Sequence, residues 1–161
     1  MVDQVSPLGA VGQTEPAPMA LAMRAARQAG AAGEVPVGAV VTDSAGKLLA
    51  VSGNRMVADR DASAHAECLA MRMALRHAGH GRLTGCDLWV TLEPCAMCAA
   101  TAGLFRIRRI VFGAYDAKGG GVVHGPRVFA SSPHAHRPEI TGGVHEIECA
   151  ALLRRFFEAR R

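Results

Sequence analysis

Aromatic side chains are scarce in this 161-residue chain: five Phe, one Tyr and one Trp, or 4% of the residues. A core must therefore be filled by Ala, Val, Leu, Ile and Met. No apolar run approaches the roughly 20 residues that a membrane-spanning helix needs, which argues against a helical anchor. The first cationic residue is Arg24, after Asp3 and Glu15, so the basic start of a secretory signal is missing and the cytoplasm is the expected compartment. Paired cysteines are also lacking. Five of them (Cys68, Cys86, Cys95, Cys98 and Cys149) in a chain without a secretory signal argue against a disulfide framework and leave free thiols or metal ligands.

Half of the residues are hydrophobic and a fifth are charged, the composition of a globular protein, and the length suits one core. The net charge of +4 is concentrated partly in Arg106, Arg108 and Arg109 and partly in Arg154, Arg155, Arg160 and Arg161. Such clusters suit a polyanion, whose counterions they release. They equally suit helix ends, where cations complement the dipole.

Residues 1–16, with Pro7, Gly9, Gly12 and Pro16, read as an extended or flexible tail, and 17–161 as the domain. An Ala/Met/Arg run predicts a helix over Pro18–Ala32, stopped by Gly33. Val35–Thr42 and Leu48–Ser52, joined by Asp43-Ser-Ala-Gly46, predict a β-hairpin. Ser63 is placed to cap a second helix whose buried stripe is Ala66, Leu69, Ala70, Met73, Ala74 and His77, ending at Gly79 and Gly81. Asp87–Leu92 predicts a strand, and Cys95–Phe105 a helix entered through Pro94 in its first turn. Arg109–Ala114 is the next strand, with a glycine turn at Gly119–Gly121. Residues 131–138 read as a loop, Ile140–Ile147 as the place of a last short strand, and Cys149, Leu152, Leu153, Phe156 and Phe157 as the stripe of a closing helix. Strands alternating with helices predict an α/β domain with helices on both faces of its sheet.

The residues with chemistry cluster at two predicted helix starts: His65-Ala-Glu67, and Pro94-Cys95-Ala-Met-Cys98 with Glu93 beside it. Cys95 and Cys98, three apart, can turn both sulfurs to one point, as a tetrahedral zinc requires. The positive end of a helix favours their thiolates. His65 supplies a third ligand. Three protein ligands leave a corner for water, whose pKa falls from about 15.7 to about 7 on zinc. Glu67 then sits where it can shuttle protons, a service typically worth about 10²–10⁴ in rate. Taken alone, the Cys pair also reads as redox or structural zinc, and a non-catalytic zinc module that binds nucleic acid requires a fourth ligand for which no well-spaced candidate exists. Asn54 reads locally as a hairpin-end residue, Asp116 and Lys118 as a loop pair, and His136 as a loop histidine; His77, His80, His124, His134 and His145 read as surface residues. Cys68 and Cys149 read as small buried hydrophobes on helices.

His-x-Glu followed by Pro-Cys-x-x-Cys is the known signature of zinc-dependent base deaminases. From Met19 to Arg161 the chain further resembles the bacterial tRNA adenosine deaminases. The resemblance lies in Gly33-Glu-Val-Pro-Val-Gly-Ala-Val-Val41, Gly53-Asn-Arg55, Ala64-His-Ala-Glu67, Val90-Thr-Leu-Glu-Pro-Cys-Ala-Met-Cys98, Phe112-Gly-Ala-Tyr-Asp-Ala-Lys118 and Glu148-Cys-Ala-Ala-Leu-Leu-Arg-Arg-Phe-Phe157. Departures fall at Leu104-Phe105, Gly120–Gly125 and Ala135. The resemblance implies a three-layer α/β/α cytidine deaminase-like fold with a mixed five-stranded sheet and one zinc per subunit on His65, Cys95 and Cys98. It implies Glu67 as proton shuttle and a homodimer acting on the wobble adenosine of a tRNA anticodon loop. Asn54, Asp116, Lys118 and His136 are then expected to touch the substrate, and the backbone N–H of Cys95 to meet the attacking oxygen. A deaminase of free bases or nucleosides (guanine, cytosine or adenosine) is the alternative.

Overall fold

The structure is a computed structural model describing residues 17–131, 133 and 136–161. The expected tail 1–16, His134 and Ala135 lie outside the described residues. Elements follow the order α1 (Ala17–Ala31), β1 (Gly38–Thr42), β2 (Leu48–Gly53), α2 (Ala66–Ala78), β3 (Asp87–Leu92), α3 (Ala96–Leu104), β4 (Arg109–Ala114), α4 (Val128–Ser131), β5 (Glu139–Thr141) and α5 (Glu146–Glu158). The five strands form one sheet in the order β2-β1-β3-β4-β5. The β1 strand pairs antiparallel with β2 and β3, whereas β3–β4 and β4–β5 are parallel, which is the mixed sheet the resemblance implies.

Alternation along the strands sorts side chains into two cores. Ala39, Val41, Leu88, Val90, Ile110 and Phe112 face α2 and α3, together with Ala70, Met71, Ala99 and Ala102. Val40, Trp89 and Val111 face the opposite layer, where Met19, Ala22 and Met23 of α1 and Cys149 of α5 complete the packing. Because both faces are covered, β1, β3 and β4 read as continuous apolar runs. With few aromatics, the layers close partly by omitting side chains. A methyl group at Gly38 would overlap the carbonyl oxygen of Ala22, and one at Gly113 would overlap the Cys149 sulfur.

Several boundaries differ from expectation. The first strand starts at Gly38 rather than Val35, because the Val37 N–H turns back to the Val35 carbonyl at 2.8 Å in a three-residue turn, and both valines line the cavity described below. Ser63 does not cap α2: its N–H and hydroxyl both donate to Asp61. His65 is the N-cap residue instead, and Asn54 Oδ1 accepts the N–H of Ala66 at 2.8 Å, a cap delivered from twelve residues upstream. The buried face of α2 is Ala66, Glu67, Cys68, Ala70, Met71 and Ala74, leaving Met73 and His77 exposed. Pro94 precedes the N-cap residue Cys95 and lies outside α3. The late strand is only Glu139–Thr141, α4 has no sequence counterpart, and of the α5 stripe only Cys149 is buried, with Phe157 49% exposed. Arg108 and Arg109 share one counterion. Both pair with the buried carboxylate of Asp87, at 2.8 and 2.7 Å, on the edge of the sheet where β3 and β4 begin.

Since α1 reaches the sheet only because Gly38 lacks a side chain, Gly38→Ala must push helix and strand apart. A loss of about 3 kcal/mol is expected, at the upper end of typical overpacking. Urea unfolding read by circular dichroism checks it.

Candidate zinc site and substrate cavity

Parallel pairing puts the C-terminal ends of β3 and β4 side by side, Leu92 opposite Ala114, with the Glu93 N–H donating to the Ala114 carbonyl at 2.8 Å. Antiparallel β1 begins, and β2 ends, at this same edge of the sheet. Four chain ends thus surround one cavity of about 280 Å³, lined by Val35, Val37, Asn54, Met56, His65, Glu67, Leu92, Glu93, Cys95, Asp116 and Gly119. A crevice beyond the carboxyl ends of parallel strands is the usual ligand position in α/β sheets.

Two helix starts meet at its floor. His65 and Cys95 are the N-cap residues of α2 and α3, both with extended backbone, and Cys98 follows one turn into α3. Nδ1 of His65 lies 3.6 Å from Sγ of Cys95 and 3.5 Å from Sγ of Cys98. With Zn–S near 2.3 Å and Zn–N near 2.0–2.1 Å, a tetrahedral centre has N···S edges of about 3.6 Å, so the three donors already have the spacing of a zinc ligand set. They are the group among the described residues whose donor atoms lie close enough together to share an ion. Hydrogen bonds from Cys98 and His65 bring the Cys95 thiol down to about 4, against the opposing effect of burial. Before a metal binds, contacts with the Cys68 and Cys95 sulfurs push the Cys98 thiol up, and a metal ion would displace its proton.

Glu67 stands beside this group, 4% exposed, and lines the same cavity. Burial pushes its carboxyl up to about 7, so that it holds or releases a proton near neutrality. Asn54 also lines the cavity; with Oδ1 engaged by Ala66, its Nδ2 is the donor left for a ligand.

The walls are fixed by two buried carboxylates to which sequence reasoning gave no structural role. Oε1 of Glu93, a residue 2% exposed, accepts the N–H groups of Val122, Val123 and His124 at 3.3, 2.9 and 3.0 Å. Its Oε2 accepts the Asp116 N–H at 3.0 Å and pairs with Nδ1 of His124 at 2.7 Å. His124 is therefore not the unengaged surface residue expected. Together these hydrogen bonds outweigh the burial of Glu93 and hold its carboxyl below the usual range. A side chain at Gly120 would collide with that carboxyl group at 2.5 Å, which is why the loop can cross directly over it. Glu34, 3% exposed, does the same for the other wall by accepting the N–H groups of Val57 and Ala58 at 3.0 and 2.8 Å, next to Asn54 and Met56. Only spatial neighbours from distant segments reveal these roles.

Of the remaining expected site residues, Asp116 lines the cavity, with its Oδ1 accepting the N–H groups of Lys118 and Gly119. Lys118 is exposed on the same loop. His136 is not brought to the cavity. Its Nε2 hydrogen-bonds the Ile107 carbonyl at 2.5 Å, just before β4 and so at the opposite edge of the sheet.

Residues 13–114 match the family described as the cytidine and deoxycytidylate deaminase zinc-binding region. The tRNA-specific adenosine deaminase of Agrobacterium fabrum is 48% identical over 143 residues, 89% of this chain and 93% of that one. That of Haemophilus influenzae is 40% identical, covering 89% and 83%. A solved structure from a study of A-to-I editing by tRNA:A34 deaminases superposes with a TM-score of 0.81 at 48% identity, covering 84% of this chain and 98% of that one. Guanine deaminase from Bacillus subtilis is more distant, with a TM-score of 0.58 and 30% identity over 61% of this chain and 62% of that one. By the match of more than half its length to that zinc-binding region, and of nearly all of it to those enzymes, the chain belongs to the tRNA-specific adenosine deaminases within the zinc-dependent cytidine and deoxycytidylate deaminase family.

Proposed function

We propose that this protein converts adenosine to inosine at the wobble position of a tRNA anticodon loop by hydrolytic deamination. The observation that carries the reading is the set of three zinc donors at one end of a cavity that also holds a buried carboxylate. The 48% identity with an established tRNA-specific adenosine deaminase names the substrate class.

His65, Cys95 and Cys98 would hold the zinc, which when bound would supply a Lewis acid able to make water a nucleophile at neutral pH. Glu67 would take the two protons of that water in turn, placing the first on the ring nitrogen next to C6 and the second on the amino group, so that the C6–N bond breaks, ammonia leaves and the carboxylate is restored. Burial raises the proton affinity of the Glu67 carboxyl, which favours taking a proton from the water. The N–H of Cys95, at the start of α3, meets the oxygen as the tetrahedral carbon forms. Val35, Val37, Met56 and Leu92 offer an apolar slot to the flat base, and Asn54 Nδ2 donates to it. At about 280 Å³ the cavity lies just below the roughly 300–1,000 Å³ of common ligand pockets, so it takes one base and leaves the rest of the RNA outside. An anticodon base is already unpaired, which lowers the cost of extruding it. Asp116 lines the cavity on the loop pinned by Glu93, and Lys118, exposed on the same loop, is the cation offered to the nucleotide backbone. No part in this cavity is assigned to His136, whose place is at the far edge.

The family resemblance extends to a homodimer. The exposed apolar residues Leu104 and Met97 on α3, 75% and 38% exposed, support one. Light scattering of the purified protein should give twice the monomer mass. No helix among the described residues is long and apolar enough to cross a membrane, in keeping with a cytoplasmic enzyme.

Incubation with transcribed tRNAs should yield inosine and ammonia in equal amounts; ammonia from free guanine, cytosine or adenosine with none from tRNA would reverse the substrate assignment. Glu67→Ala should keep its zinc, measured by atomic emission, and lose at least about 10²-fold in turnover, a loss expected of a proton shuttle. Glu93→Gln turns an NH₂ group toward backbone N–H donors. A destabilisation of about 2 kcal/mol is expected, with zinc retained. Faster amide exchange confined to residues 116–124 would confirm that this carboxylate is the loop's anchor.

A further inference from the structure

One more sulfur lies beyond the three donor atoms and the Glu67 carboxylate. Cys68, the residue after Glu67 on α2, is 1% exposed, and its Sγ is 3.6 Å from Sγ of Cys98 on α3. It is not part of the close donor group, which is His65, Cys95 and Cys98. Its other polar neighbour is Oγ1 of Thr101 at 3.8 Å, whose own hydroxyl donates to the Met97 carbonyl at 2.8 Å. The single S–H of Cys68 therefore has two acceptors within reach, a neutral hydroxyl oxygen and the Cys98 sulfur.

A cysteine binds zinc as its thiolate, so in the loaded site the hydrogen between the two sulfurs belongs to Cys68. An ionised acceptor takes a stronger hydrogen bond than a neutral one, and the dry surroundings of two fully buried sulfurs sharpen the difference. In the sequence Cys68 reads as a small packed hydrophobe, and its burial agrees with that. Packing alone, however, makes no use of the S–H, whereas the direction of the contact toward a zinc ligand does.

We propose that Cys68 is a positioning residue of the zinc centre, donating its S–H to the Cys98 thiolate and drawing charge away from it. A hydrogen-bonded thiolate gives less electron density to its metal, which leaves the metal the stronger Lewis acid. Partners lying beyond the ligands commonly tune metal sites in this way. The inference rests on zinc being held by His65, Cys95 and Cys98.

Cobalt exchanged for zinc in the full-length protein reads the sulfur directly. In Cys68→Ala, the sulfur-to-cobalt charge-transfer band moves to lower energy at unchanged intensity. Cys68→Val, which keeps the α2–α3 contact filled, shows the same shift. Cys68→Ser restores a donor and brings the band back toward its wild-type energy. Turnover of zinc-loaded Cys68→Ala falls about tenfold, the lower end of what such partners are worth, at unchanged zinc stoichiometry. A band at wild-type energy in both the alanine and valine variants overturns the proposal. So does a loss of one thiolate's share of the intensity, because Cys68 is then itself a ligand. A wild-type protein without any thiolate band removes the zinc assignment, and this inference with it.

Discussion

Two helices, α2 and α3, come from different parts of the chain and must deliver their first residues to a single point, with nitrogen and sulfur about 3.5 Å apart. A tenth of a nanometre of error would open the ligand set, so the spacing cannot be left to the helices alone. Both are carried by the sheet: α3 follows directly from the end of β3, and α2 is tied at its first N–H to Asn54, beyond the end of β2. Since β1 joins β2 to β3 in a fixed antiparallel register, the distance between the two helix starts is set by strand pairing. The zinc donors are in this sense an output of the sheet's register.

Around that point, polar burial does what an apolar wall could not. Glu34, Asn54 and Glu93 are each less than a tenth exposed, and each spends its acceptor oxygens on backbone N–H groups of irregular chain. Loops over a cavity carry many unpaired N–H groups, and a buried one left without a partner costs about 1–3 kcal/mol. Carboxylates accept several at once. The result is a pocket whose walls are loops in sequence and rigid in structure, which suits a reaction in which one carboxylate has to serve both the water and the leaving group.

Much of this was legible from the sequence, for reasons visible in particular residues. Asp87–Leu92 and Arg109–Ala114 are bounded as expected because both are apolar runs closed by turn residues. The cluster of His65, Cys95 and Cys98 was legible because its spacing is local: two sulfurs three residues apart, and a histidine two residues from a glutamate. The face of α2 was not. Leu69 and Met73 offered as good a stripe as Met71, and burial of the charged Glu67, which decides the rotation, runs against hydrophobic counting. The cap from Asn54, the partner of His124 and the five hydrogen bonds on Glu93 join positions from 12 to 31 residues apart, and no window along the chain contains them. The pairing of Arg108 and Arg109 was hidden for a related reason, since the buried aspartate they share lies some twenty residues earlier.

Where α1 lies against Gly38, helix backbone touches the strand directly, and where α5 lies against Gly113 only the small side chain of Cys149 intervenes. Side chains are what allow packed layers to slide, by changing rotamer while keeping contact. With so little of that cushion this layer behaves as a rigid backing plate. The cavity walls have no such backing: their rigidity rests on the hydrogen bonds that Glu34 and Glu93 accept, so it is held by a few polar contacts and not by close packing.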